Sequence, residues 1–164
     1  MNELSKKIIF YGIIIIVVLI TINLIITTIS NNINSYSKGL VHWHADVEVM
    51  ICGEEVELEE SHSFLSDKVG TSEMHHHGDM RIHVEGVVNS REDATVGAFF
   101  DALNQDFTST SILEHKNGDV CPGTGKPGQV KMFINDIENF EFRDHEIAHW
   151  TDVPPGDKIK IVFE

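Results

Sequence analysis

Residues 8–29 read IIFYGIIIIVVLITINLIITTI, a run without one charged side chain. At 1.5 Å per residue such a run extends ~33 Å as a helix, enough to cross a hydrocarbon core of ~30 Å. A core helix of a globular protein carries a polar stripe, whereas this run has only Asn23 as a strongly polar interruption. A cleavable signal peptide would show a shorter apolar stretch, roughly 7–15 residues, and then a small-residue cleavage site. Asn31-Asn32-Ile33-Asn34 offers no such site. The reading is therefore one N-terminal transmembrane helix that serves as a signal-anchor. Lys6 and Lys7 precede it, so the positive-inside bias keeps the N-terminus in the cytoplasm. The chain is then a single-pass protein of the cell membrane with its C-terminal part extracytoplasmic.

On this reading residues 1–30 form the cytoplasmic tip and anchor, 31–39 (NNINSYSKG) a short polar linker, and 40–164 one extracytoplasmic domain. That domain holds 25 acidic against nine basic residues, a formal charge near −16 with histidine neutral. Such a field repels nucleic acid and anionic lipid and attracts cations. Cys52 and Cys121 both follow the anchor, and an even count in an oxidising compartment favours a disulfide over thiolate ligands.

Periodicity supplies the fold class. From Val41 to Ile51 the odd positions are apolar and His42, His44, Asp46 and Glu48 alternate with them, which predicts a strand with one face in a core. Gly53 then turns the chain into a hairpin, and 59–78 reads as a long acidic loop. Met80, Ile82 and Val84 alternate with Arg81, His83 and Glu85 in a further strand. Val96, Phe99, Phe100 and Leu103 have helical spacing, with Asp93 or Thr95 as cap. A turn-rich stretch, 114–129, leads to strands over 130–134, around 140–142, and over 158–163 after a Pro-Pro-Gly-Asp turn. The order implies an α+β domain: a small, mostly antiparallel sheet with one helix packed across it, β-grasp-like in arrangement. That likeness carries no function.

Of ten histidines, six fall in two groups, His42-Trp43-His44 and His75-His76-His77…His83. Imidazole is the commonest metal ligand. Residues two apart on a strand lie roughly 6–7 Å apart on one face, so His42 and His44 can converge on one ion. His83 shares the polar face of the later strand, and His75 and His77 point together at its mouth, with His76 pointing away. Nitrogen ligands in this number suit Zn²⁺ or Cu²⁺, with Ni²⁺ as a further option. Asp46, Asp79 and Glu85 would orient the rings, and binding would weaken below about pH 6 as imidazole protonates. His62, His115, His145 and His149 are scattered. The spacing His42-x-His44-x3-Glu48 matches the core of a first cupin motif, but its flanking glycines and a second motif are missing. A cupredoxin site would need His and Met soon after Cys121. HExxH, G-x-S-x-G, P-loop and dinucleotide patterns are absent.

The segments HWHADVEVMICGEEVEL, HHHGDMRIHVEG, TVGAFFDALNQDF, GQVKMFINDIENF and PPGDKIKIVF together resemble a family of small membrane-anchored, histidine-rich extracytoplasmic proteins of archaea and some bacteria. Its pattern is HxHAD, an HxH element, an I-H strand, a TLGxFF-like helix and a GD turn before the last strand. The resemblance covers about three-quarters of the chain and sets His42, His44, His75, His77 and His83 on motif positions. It implies the domain and the site without naming a reaction. This chain departs by carrying three histidines in the second motif and Glu85 where the pattern often has a further histidine.

The expected metal ligands are thus His42, His44, His75, His77 and His83, the expected cofactor a Cu or Zn ion, and the expected partners the membrane, the ion and other subunits of a membrane complex. The leading function is non-enzymatic: buffering or delivering metal, or serving such a complex. A metal-dependent hydrolase or oxidoreductase built on the same histidines is the alternative. A metal-free interaction module whose histidines answer only to pH is the third.

Overall fold

The alternation that begins at Val41 becomes β1 (Leu40–Ile51), which buries Trp43, Ala45, Val47, Val49 and Ile51 on one face. In this computed structural model the described residues are 2–58, 67–122, 124–147 and 156–164. β1 turns at Gly53 into β2 (Glu54–Glu55), which pairs back onto it. Next come β3 (Val69–Gly70), β4 (Met74–His76) and β5 (Arg81–Val87). A 3₁₀ turn (Arg91–Ala94) leads into the helix α2 (Val96–Ala102), then a small hairpin, β6 (Ser111–Ile112) with β7 (His115–Lys116). β8 (Val130–Ile134), β9 (Ile137–Glu138) and β10 (Asp157–Phe163) complete the domain.

The strands form one mixed eight-stranded sheet in the order β3-β4-β5-β1-β10-β8-β9, with β2 on β1. Among the described residues only the central pair, β1 with β10, is parallel. Its register sets Val47 beside Ile159 and Val49 beside Ile161, so the apolar faces of both strands coincide. Against that face pack Val96, Phe99 and Phe100 of α2, with Phe107 and Ile147. Thr95 starts α2 as its N-cap, its hydroxyl accepting from the Ala98 N–H at 3.2 Å. The domain is α+β, as the order of elements predicts.

The apolar run lies within the helix α1 (Glu3–Asn34), which is long and apolar enough to cross a membrane and buries none of its residues. Asn31 to Asn34, read as linker, extend this helix, because nothing in that stretch breaks it. Ser35 ends it, its hydroxyl donating to the Asn32 carbonyl at 2.7 Å. The rest of the linker docks on the domain, with the N–H groups of Tyr36 and Ser37 bonded to the carbonyls of Asn89 and Val88. Two further elements differ from the sequence reading. The strand expected around 140–142 is a 3₁₀ turn (Phe142–Asp144), and the place beside β8 is taken by β9. The expected long loop contains β3 and β4, whose few residues are too short to display a period; residues 59–66 lie outside the described part. Pro154 and Pro155 of the expected final turn also lie outside it.

Candidate metal centre

Strand register builds this site. His44 stands opposite His83 across β1 and β5, and His75 stands opposite His83 across β4 and β5. Residues in register share a face, so three imidazoles form one row across three neighbouring strands. One pair further along, His42 faces Glu85. His77 follows β4 and returns to the row, its ring 4.8 Å from that of His83 and edge-on to it. All five histidines singled out in the sequence therefore meet on the sheet face opposite α2. His42, His44 and His83 form one group that could hold a metal ion, and His75, His77 and His83 a second.

The first group converges on one atom. His42 Nε2 lies 3.1 Å from His44 Nε2, 3.3 Å from His83 Nδ1 and 3.1 Å from Glu85 Oε1. A ring nitrogen carries either one proton or one lone pair. If His42 Nε2 is protonated it can serve Glu85 but then presents no lone pair to the other two rings. If it is unprotonated, its lone pair faces a carboxylate oxygen. These contacts cannot all be hydrogen bonds. A cation among them resolves the conflict, because every atom then presents a lone pair to it. Tetrahedral bonds of 2.0–2.1 Å to nitrogen put neighbouring ligands ~3.3 Å apart, close to the spacings found here.

In the second group His75 is wholly buried and neither of its ring nitrogens has a hydrogen-bond partner among the described residues. His44 Nδ1 and His83 Nε2 are buried and unbonded in the same way. His77 Nδ1 lies 3.0 Å from Asp67 Oδ1, and His83 Nε2 lies 4.0 Å from Asp79 Oδ2. The other oxygen of Asp79 accepts from the backbone N–H groups of His77 and Arg81 and so fixes the turn between β4 and β5. Lys68 donates to Glu85 at 2.6 Å.

Burial sets the charge state. Desolvation pushes the imidazolium forms of His75 and His83 down to a pKa of about 4, with Lys68 adding for His75 and His44 for His83. Desolvation also lowers His44, with His42 contributing. Glu85 is held below the usual carboxylate range chiefly by the Lys68 ammonium. Burial works to raise Asp79, but the N–H groups of His77 and Arg81 prevail and lower it. At neutral pH the buried rings of His75 and His83 are thus neutral beside ionised Glu85 and Asp79. Protons compete at His75 and His83 only near pH 4, lower than the value near 6 expected for free imidazole.

Two glycines hold the row in place. A Cβ at Gly70 would lie 2.5 Å from the Met74 carbonyl oxygen and 3.1 Å from His75 Cα, and its φ of +121° is one that side chains resist. A Cβ at Gly156 would lie 2.7 Å from the carbonyl oxygen of His44. His76 points to the other face, as expected: its ring meets Phe99 edge-on and its Nδ1 accepts from the Gly78 N–H at 3.0 Å. Asp46, proposed as a ring acceptor, pairs instead with Arg81 at 2.6 Å. His115 lies against Phe163, and His145 lies by Glu141 and Asp157, both away from the cluster. His62 and His149 lie outside the described residues. Lys68 and Asp67 went unrecognised in the sequence, since they sit in a stretch legible only as a long, acidic, polar loop.

Compared with known proteins, the chain matches no family model, no curated protein and no solved structure. The family resemblance and the β-grasp arrangement therefore rest on the sequence motifs and the order of elements alone.

Proposed function

We propose that this protein is a membrane-tethered, extracytoplasmic domain that binds Cu²⁺ or Zn²⁺, to buffer or deliver the ion or to serve as accessory subunit of a membrane complex. The observation that carries the proposal is the convergence of His44 Nε2, His83 Nδ1 and Glu85 Oε1 on His42 Nε2. Imidazole ligands with a nearby carboxylate suit a borderline divalent ion better than Ca²⁺ or Mg²⁺, which prefer oxygen. The acidic surface would concentrate such cations. Extracytoplasmic placement agrees with Lys6 and Lys7 before the helix and with the Cys52–Cys121 disulfide, a bond typical of oxidising compartments.

The test is metal content of the full chain, purified in detergent and stripped with chelator. Expected are stoichiometric uptake of Cu²⁺ or Zn²⁺ and a raised melting temperature, both impaired in His42→Gln/His44→Gln. A chain that takes up neither ion and melts unchanged would overturn the proposal. One observation favours the enzymatic alternative: the His42 side chain is 55 % exposed, which leaves that flank of the first group open to solvent. An open coordination position is what a metal-dependent hydrolase or oxidoreductase requires. Turnover of a hydrolysable ester or of a redox dye by the loaded protein, lost in His44→Gln, would decide for that reading.

A further inference from the structure

His83 belongs to both histidine groups. If each group took an ion by itself, this one ring would have to serve two. We infer that it does: the cluster takes two divalent ions, bridged by the two nitrogens of the His83 imidazole. This deepens the metal-binding reading and rests on it.

The two ring nitrogens face different neighbours. Nδ1 is directed to His42, at 3.3 Å, and so to the first group. Nε2 is buried, has no hydrogen-bond partner among the described residues, and lies 4.0 Å from Asp79 Oδ2. Around that ring stand His75, stacked nearly parallel with ring centres 5.4 Å apart, and His77, edge-on at 4.8 Å. The ligand atoms of His75, His77 and His83 all lie within 4.8 Å of one another, and bonds of 2.0–2.1 Å would close that span once the His75 ring turns out of its stack with His83, so that lone pairs lying in the two ring planes meet at the ion. With one bond of ~2 Å on each side of the ring, the two ions would sit about 6 Å apart.

A bridging ring needs a lone pair on both nitrogens, so binding of the second ion releases the one N–H proton of His83 to solvent. The imidazolate then carries one negative charge. Two divalent ions bring four positive charges, and the remaining three are matched by Glu85, Asp79 and Asp67 beside the row, which leaves one net positive charge from the Lys68 ammonium on Glu85. Each group also keeps two histidines of its own: His42 and His44 on one side, His75 and His77 on the other.

The test is titration of the chelator-stripped full chain in detergent with Cu²⁺ alone, read by metal content after desalting and by electron paramagnetic resonance. Two copper ions per chain are expected. The signal should grow with the first equivalent and fall with the second, because copper spins joined by imidazolate couple antiferromagnetically. His83→Gln should abolish the coupling and lower the content to one ion or none. His77→Gln, which leaves the first group intact, should hold one copper at full signal, and this variant keeps the test decisive where His83→Gln fails to fold. His115→Gln, outside the cluster, should behave as the parent. One copper per chain at full signal would overturn the bridge while leaving metal binding standing. Two coppers at full, uncoupled signal would also overturn it. No copper at all would overturn the bridge, and a parallel titration that finds no Zn²⁺ either would overturn the metal-binding reading with it.

Discussion

Mild acid should unfold the metal-free domain through His75 and His83. Both have a folded-state pKa of about 4, whereas imidazole in the unfolded chain titrates near 6.5. Above pH 6.5 both states are neutral and neither residue contributes to pH dependence. As pH falls below 6.5 the unfolded chain takes up protons that the folded site refuses, so stability is lost until about pH 4. For one residue the loss between pH 7.5 and pH 5 is RT ln[(1 + 10^1.5)/(1 + 10^−1)], or about 2 kcal/mol. The pair should lose about 4 kcal/mol, and His44, lowered by the same burial, acts in the same direction. That is a large share of a typical domain stability of 5–15 kcal/mol. Glu85, Asp79 and Asp67 have lowered pKa values, so their contributions disappear only at more acid pH and leave this window to the imidazoles. The assay is urea unfolding of the full chain in detergent with EDTA, at pH 7.5, 6 and 5, followed by near-UV circular dichroism. His83→Gln removes one of the titrations and should reduce the pH-dependent loss by about half. A parent protein whose stability changes by less than about 1 kcal/mol from pH 7.5 to 5 would refute the reasoning, because burial would then not be excluding protons.

Lys68→Met frees the Glu85 carboxylate from its ammonium partner and should tighten Zn²⁺ or Cu²⁺ binding by up to about tenfold, while Glu85→Gln should weaken it; calorimetry that finds the same sign for both would contradict this. Gly70→Ala pushes a Cβ into the backbone around His75 and should weaken metal binding at least tenfold more than the exposed control Gly118→Ala; equal affinities would show that His75 does not depend on this turn. Joint replacement of Cys52 and Cys121 by serine opens a closure of 69 residues and should lower stability by about 4 kcal/mol in denaturant, a loss below 1 kcal/mol being incompatible with the chain-entropy account. Phe99→Ala removes a fully buried ring from the α2–sheet contact and should cost 3–5 kcal/mol, measured the same way, with a loss under 1 kcal/mol counting against its place in the core.

Legibility followed burial. β1 and β5 could be read directly because apolar and polar residues alternate over 41–49 and 80–85, and β10 because a Pro-Pro-Gly-Asp turn precedes it. His42, His44 and His83 could be assigned to one face for the same reason, as alternation decides orientation before any neighbour is known. His75 and His77 were legible only as a local pair. β4, which holds His75 and ends just before His77, has three residues, all buried, so it shows no period at all. The parallel pairing of β1 with β10 joins segments more than a hundred residues apart, and nothing local encodes which strand lies beside which. Phe140 and Phe142 look like alternating strand residues, yet Phe140 is exposed and the chain there coils into a 3₁₀ turn. Asp67 and Lys68 were unreadable because their role depends on where a loop crosses the sheet.

The site conflicts with the stability of the fold that holds it. His44 Nδ1, both nitrogens of His75 and His83 Nε2 are buried without hydrogen bonds among the described residues. Each such group costs about 1–3 kcal/mol, so together they rival the net stability of a whole domain. A hydrophobic side chain at these positions would relieve that cost. A strand edge free to shift would also relieve it by letting the rings turn to water. The architecture withholds that second escape: β1 is hydrogen-bonded to β5 on one side and β10 on the other, and Cys52 ties its far end to Cys121. The strands that carry the imidazoles are therefore held in register by the sheet before any ion arrives. A cation that engages His83 Nε2 and one nitrogen of His75 recovers the energy the fold has stored in those two atoms, while the N–H groups left on His44 and His75 stay buried. Tight metal binding and a marginal metal-free state are then two consequences of one arrangement, the row of His44, His83 and His75 across three strands.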